Sequence, residues 1–155
     1  MGIINFRGKR NASQTKESEQ ILVSDYMTTK LITFKAKQPI EEVIGSLINN
    51  KISGGPVVND KNELIGIISE GDCMKQISES KYYNMPMDTN NTVEKAMAKD
   101  VETIDGNMNI FDAANKFLES KRRRFPIVEN GKLVGQISQK DVLKAAMTLK
   151  GRNWK

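Results

Sequence analysis

A chain of 155 residues with 38% hydrophobic residues can bury one sizeable core but is too short for two bulky independent domains. It has no His and a single Cys, Cys73, which excludes an intramolecular disulfide and removes the usual general base and the commonest metal ligand. The net charge of +5 sits at the ends: residues 1–20 carry +2 and residues 140–155 carry +4, leaving the stretch between at about −1.

In chain order, the opening MGIINFRGKR lacks the apolar stretch of a signal peptide and has Phe6 where a myristoylation signal wants Ser or Thr. No apolar run approaches the ~18 residues that span a bilayer, so no membrane partner and a cytoplasmic location are expected. Residues 1–20 read as a basic tail, loosely ordered by itself. Leu31–Phe34 is a short β-prone run. From Pro39, suited to a first helical turn, Ile40, Val43, Ile44, Leu47 and Ile48 recur at helical spacing. Pro56–Val58 and Leu64–Ile68 are strand-like around the polar turn Asn59, Asp60, Lys61, Asn62, and a helix is expected from near Ser69 through Ile77. Residues 81–91, with Met85, Pro86 and Met87, read as a linker. Val101–Ile104 then opens the same order again. It continues through the helical positions Ile110, Ala113, Ala114, Phe117 and Leu118, the strand Phe125–Val128, the turn Glu129, Asn130, Gly131, and the strand Leu133–Ile137. Residues 150–155 read as a second basic tail.

The chain is therefore one unit written twice. Met27 falls on Met97, Thr33 on Thr103, Lys51 on Lys121, Pro56 on Pro126 and, after a one-residue deletion in the turn, Leu64 on Leu133. Each copy closes on the same phrase, GIISEGD at Gly66–Asp72 and GQISQKD at Gly135–Asp141. The expected architecture is α/β (α+β): two β-α-β-β-α repeats, residues 21–80 and 92–149, about a pseudo-two-fold axis and sharing a core.

DYMT and KAMA at the heads of the copies, SGGPVV and RRFPIV at the middle strands, and the two closing phrases recur in order at constant spacing. Over Val23–Thr148 the chain resembles a tandem CBS-domain protein, a Bateman module. The resemblance implies a non-catalytic regulatory module that requires no cofactor and binds adenosine-containing ligands in clefts between its repeats. AMP, ADP or ATP lead, with S-adenosylmethionine or a cyclic dinucleotide as lesser candidates. It also implies a flat homodimeric disc read by a further protein that this sequence does not identify.

An adenine nucleotide offers a flat base, a ribose diol and an anionic phosphate, so its site needs three kinds of group. A carboxylate, Asp72 or Asp141, can accept from both diol hydroxyls. Ser69 or Ser138, three residues earlier, can donate to a ribose or phosphate oxygen near the free N–H groups of a helix start. Ile32, Ile52 and Ile137 can sandwich the base. Arg122, Arg123 and Arg124 supply the guanidinium fork that suits phosphate. Against this stands capping: Ser-x-x-Asp at a helix start is close to a capping box, and duplication copies a cap as readily as a site. The Arg run likewise complements the dipole at the end of the preceding helix.

Carried over residue by residue, the resemblance implies that each cleft draws on both repeats. One would join Ser138, Asp141 and Arg124 to Thr28, Thr33, Ile52 and Ser53; the other would join Ser69 and Asp72 to Thr103 and Arg123, the last able to face the phosphate of either cleft. The first copy has Ser53 and Gly54 where the second has Arg123 and Arg124, and Glu70 adjoins its motif, so the Asp141 cleft is the better candidate for a phosphate. The competing reading is a structural dimerisation module with degenerate pockets, its basic tails contacting nucleic acid or an acidic partner. Catalysis is not expected, because no nucleophile, metal site or paired acid accompanies the two carboxylates.

Overall fold

Each repeat builds one amphipathic helix, a β-hairpin and a second long helix, in that order, in a computed structural model that describes residues 20–82 and 91–153. The first repeat contributes α1 (Val23–Tyr26), α2 (Ile40–Asn50), β1 (Gly54–Val58), β2 (Leu64–Ser69) and α3 (Glu70–Tyr82). The second contributes α4 (Val93–Ala96), α5 (Ile110–Ser120), β3 (Arg124–Glu129), β4 (Lys132–Ser138) and α6 (Gln139–Asn153). β1 pairs antiparallel with β2, and β3 pairs with β4.

Local chemistry explains most boundaries. α2 buries Ile40, Val43 and Leu47, and α5 buries Ile110, Ala113 and Phe117, the same face in both copies. Pro39, expected inside the first turn, stands one place earlier as the N-cap of α2, at φ −67° and ψ 145°. Both helices end on a left-handed lysine, Lys51 at φ 55° and Lys121 at φ 59°, a conformation that favours glycine. The β3–β4 turn is Asn130–Gly131, both at positive φ (53° and 81°), as a two-residue hairpin turn demands. In the longer β1–β2 turn, Asn59 Oδ1 accepts from the N–H groups of Lys61 and Glu63, each at 2.9 Å.

One expectation needs correction. Leu31–Phe34 and Val101–Ile104 are not strands; each makes one parallel bridge, Phe34 to Val57 and Ile104 to Ile127. The ladder stops because the chain turns at once, Gln38 N–H donating to Lys35 O at 3.1 Å and Met108 N–H to Asp105 O at 3.0 Å. The helical backbone of α6 continues through Asn153, into the residues read as a basic tail. The N-terminal tail and most of the linker lie outside the described residues.

The contacts sort into two compact units that interleave the repeats. One gathers the described residues of Met1–Met27, Asp105–Arg124 and Ile137–Lys155; the other, Thr28–Ile104 and Phe125–Gln136. In the second unit Phe34, Ile40, Val43, Leu47, Val57, Ile68 and Cys73 form a core that also takes in Val93 from the other repeat. Burial of each such side chain is worth about 1.5–3 kcal/mol. In the first unit Val23 is buried, and its N–H donates to Met108 O at 2.8 Å; in the second unit Val93 N–H donates to Gln38 O at 2.9 Å. The same exchange joins the segment after each short helix to the other repeat's hairpin. Thr28 pairs with Gln136 through reciprocal bonds of 2.8 and 3.0 Å, and Ala98 with Ile67 through bonds of 2.8 and 2.9 Å.

Gly66 makes the second of these approaches possible. A Cβ there would lie 2.5 Å from Met97 Sδ and 2.9 Å from Ala98 O, and the latter is backbone that cannot swing aside. Gly45, inside α2, has nothing within 4 Å of its own Cβ position. Urea denaturation should therefore show Gly66→Ala losing about 1–3 kcal/mol, whereas Gly45→Ala should gain about 0.5–1 kcal/mol from helix propensity.

Candidate functional site

β2 ends on Ser69 and α3 begins at Glu70, so the free N–H groups of the first helical turn open beside the serine. Asp72 answers them. Its Oδ2 accepts from Ser69 N–H at 2.9 Å and from Ser69 Oγ at 3.1 Å, while Asp72 N–H donates to Ser69 Oγ at 3.4 Å. The second repeat repeats this bond for bond: Ser138 N–H and Oγ donate to Asp141 Oδ2 at 2.9 and 3.0 Å, and Asp141 N–H donates to Ser138 Oγ at 3.2 Å. These are capping boxes with Asp in the place of the usual Glu. Only one oxygen of each carboxylate is used; Oδ1 of Asp72 and of Asp141 accepts no hydrogen bond among the described residues. Both serines and both aspartates are half-buried.

Beside each box runs the chain that leads into the middle strand of the same repeat. Glu70 N–H donates to Ser53 O at 2.9 Å, and Gln139 N–H donates to Arg123 O at 3.3 Å. Gln139 Nε2 adds a bond of 3.1 Å to Arg122 O. The main chain of Ser53 thus adjoins the Ser69/Asp72 box, and that of Arg123 adjoins the Ser138/Asp141 box. The contribution of Gln139 was missed in the sequence, although its alignment with Glu70 marked the position.

The remaining candidates divide by exposure. Arg122 and Arg123 are exposed and Arg124, the first residue of β3, is half-buried. Thr33 and Thr103 occupy equivalent places, one residue before the bridges of Phe34 and Ile104; Thr33 is half-buried and Thr103 exposed. Thr28 is exposed and held by its main-chain pairing with Gln136. Ile32 and Ile52 keep part of their surface while packing on the core of their unit. Ile137 does not: it is 0% exposed, a core side chain with no surface to form the wall of an open hollow. Cys73 is buried, and burial pushes its thiol pKa up, helped by the carboxylates of Asp72 and Glu70.

Each repeat also carries an apolar groove between its two long helices. One, of about 310 Å³, is lined by Ile44, Leu47, Ile48, Cys73, Met74 and Ile77 with Glu70 at its edge. The other, of about 280 Å³, is lined by Ala114, Phe117, Leu118, Val142 and Leu143 with Gln139 at its edge. Ile48 is 70% exposed and its counterpart Leu118 is 78% exposed. Among the described residues there is no cluster of His, Cys, Asp or Glu able to hold a metal ion, and no helix long and apolar enough to cross a membrane.

Comparison with known proteins fits this geometry. The CBS domain family model matches twice, at residues 23–79 and 93–148, and the chain belongs to the CBS-domain family. It is 31% identical to the chloroplastic CBS domain-containing protein CBSX1 of Arabidopsis thaliana over 89% of this chain and 69% of that protein. It is 29% identical to the uncharacterized protein MJ1225 of Methanocaldococcus jannaschii over 99% of this chain, which spans 55% of that relative's length. Among solved structures, CBSX2 in complex with AMP superposes at TM-score 0.73 with 28% identity, covering 83% of this chain and 98% of CBSX2. The CBS domain pair of MJ0100, in complex with 5′-methylthioadenosine and S-adenosyl-L-methionine, superposes at TM-score 0.67 with 25% identity, covering 80% and 98% of the two chains.

Because each box caps its own helix whatever else it binds, Asp72→Ala and Asp141→Ala should each lower stability by about 1 kcal/mol in urea denaturation without ligand. The two losses should be similar, as the two sets of hydrogen bonds are.

Proposed function

We propose that the chain is a sensor that binds an adenosine-containing ligand at its Ser-x-x-Asp boxes and performs no chemistry on it. The observation that carries this reading is the duplicated box with a spare carboxylate oxygen. In each copy the cap uses Oδ2, so Oδ1 of Asp72 or Asp141 is left to accept from a ribose hydroxyl. Partly exposed Ile52 offers an apolar surface to a base, and Arg122, Arg123 and Arg124 offer cations to a phosphate. That CBSX2 was crystallised with AMP and the MJ0100 pair with adenosine-derived ligands supports an adenosine ligand here. Binding would shift the population of chain and dimer arrangements, and a partner protein would read the shift.

A homodimer belongs to the same proposal. Monomeric proteins rarely expose large contiguous apolar patches, and here the same face is apolar in both copies: Ile48, Met74 and Ile77 in the first, Leu118, Leu143 and Met147 in the second. A second copy of the chain would cover such matching faces through an isologous interface. The faces alone would equally serve a purely structural dimerisation module, which a dimer with blank ligand screens would favour.

Thermal shift against AMP, ADP, ATP, 5′-methylthioadenosine and S-adenosylmethionine tests the sensor. A ligand at 100 times its Kd should add about 2.7 kcal/mol, or about 5–10 °C in Tm for a chain of this size. With ADP or ATP, Asp141→Ala should lose most of that gain in addition to its cap, and no response to any of the five would end the proposal. For the dimer, Leu118→Glu should convert the species seen by analytical ultracentrifugation to monomer; a wild-type chain already monomeric at tens of micromolar would sink it.

A further inference from the structure

The two boxes make the same hydrogen bonds, yet the residues around them carry opposite charge. Beside Ser69 and Asp72 the chain entering β1 is Ile52, Ser53 and Gly54, and the helix opens with Glu70 and Gly71. The corresponding residues beside Ser138 and Asp141 are Arg122, Arg123 and Arg124, then Gln139 and Lys140. This correspondence is spatial as well as sequential, because Glu70 N–H meets Ser53 O at 2.9 Å and Gln139 N–H meets Arg123 O at 3.3 Å. Five matched positions thus carry a formal −1 in the first copy, from Glu70, and +4 in the second, from three arginines and Lys140. The N1 side chains differ in the same sense. Glu70 presents an exposed carboxylate, whereas Gln139 is neutral and turns its amide onto Arg122 O.

We propose that the boxes sort adenosine ligands by charge: the Ser138/Asp141 box takes those bearing a di- or triphosphate, and the Ser69/Asp72 box takes those with a neutral thioether or a sulfonium cation in its place. This rests on the reading of both boxes as ribose sites. A polyphosphate brings several negative charges within a Debye length of whichever set of side chains it meets, about 8 Å at physiological salt. Guanidinium forks meet phosphate oxygens with paired hydrogen bonds, while a carboxylate in the same place repels them and attracts a sulfonium.

Isothermal titration of the whole chain tests the sorting. ATP should bind once per chain, with an affinity that falls as salt rises. 5′-Methylthioadenosine should still bind the ATP-saturated chain, with an affinity nearly independent of salt. Arg123→Ser should weaken ATP on the order of tenfold or more, the loss of a charge-assisted bond; the 5′-methylthioadenosine heat serves as the control for folding. Ser53→Arg combined with Glu70→Gln should create a second ATP site. Equal filling of two sites by ATP in the unaltered chain, or ATP binding indifferent to Arg123→Ser, overturns the sorting while leaving adenosine binding intact. An absence of heat with both ligands overturns instead the ribose-site reading on which it stands.

Discussion

The constraint on which this fold depends is that a two-stranded hairpin cannot stand alone in water. Neither β1–β2 nor β3–β4 is extended by its own repeat beyond a single bridge. Each is instead edged by a segment from the other copy, Thr28 against Gln136 and Ala98 against Ile67. The short helices that precede those segments bury their leading valines in the same exchange, and Val93 is counted in a core otherwise built by the first repeat. Duplication is therefore a structural requirement here: each copy supplies what the other lacks. The glycine at position 66 follows from that requirement, since the borrowed segment comes closer than a methyl group allows.

The Ser-x-x-Asp phrase shows how one small group of atoms can hold a helix and still have capacity for a ligand. A capping carboxylate in the usual box spends one oxygen on the N-cap N–H; here the same Oδ2 also takes the serine hydroxyl, and the second oxygen is left over. Such a group is pre-oriented without a ligand, so binding would cost little side-chain ordering. Capping and recognition are then two uses of one geometry. That is why the phrase by itself did not discriminate between them in the sequence.

Much of this was legible in the residues. The spacing of Ile40, Val43 and Leu47, and of Ile110, Ala113 and Phe117, marked the buried faces of α2 and α5, because a helix of period 3.6 must place them together. Asn130–Gly131 marked its hairpin, because few residue pairs accept positive φ twice. The boxes were visible as Ser and Asp three apart. Other features depend on tertiary context that a local pattern does not carry. Leu31–Phe34 has strand propensity, but the turn after Lys35 leaves it room for one bridge. Ile137 looked available to a base because alternation in a strand fixes which residues share a face, not which face is covered. The grouping of Ser53 with Glu70, and of Arg123 with Gln139, followed only from the hydrogen bonds that join strand and helix within one repeat.

The exchanged pairing also governs the order in which the chain can mature. Thr28 must wait for its backbone partner Gln136, which follows it much later in the chain, and Leu22 must wait for Asn109. Contacts this distant in sequence carry a large loop-closure cost and slow the search for the native state. Until Ala98 is made, the first hairpin has an open edge at Ile67. The nascent chain therefore passes through a stage at which self-association competes with its own completion.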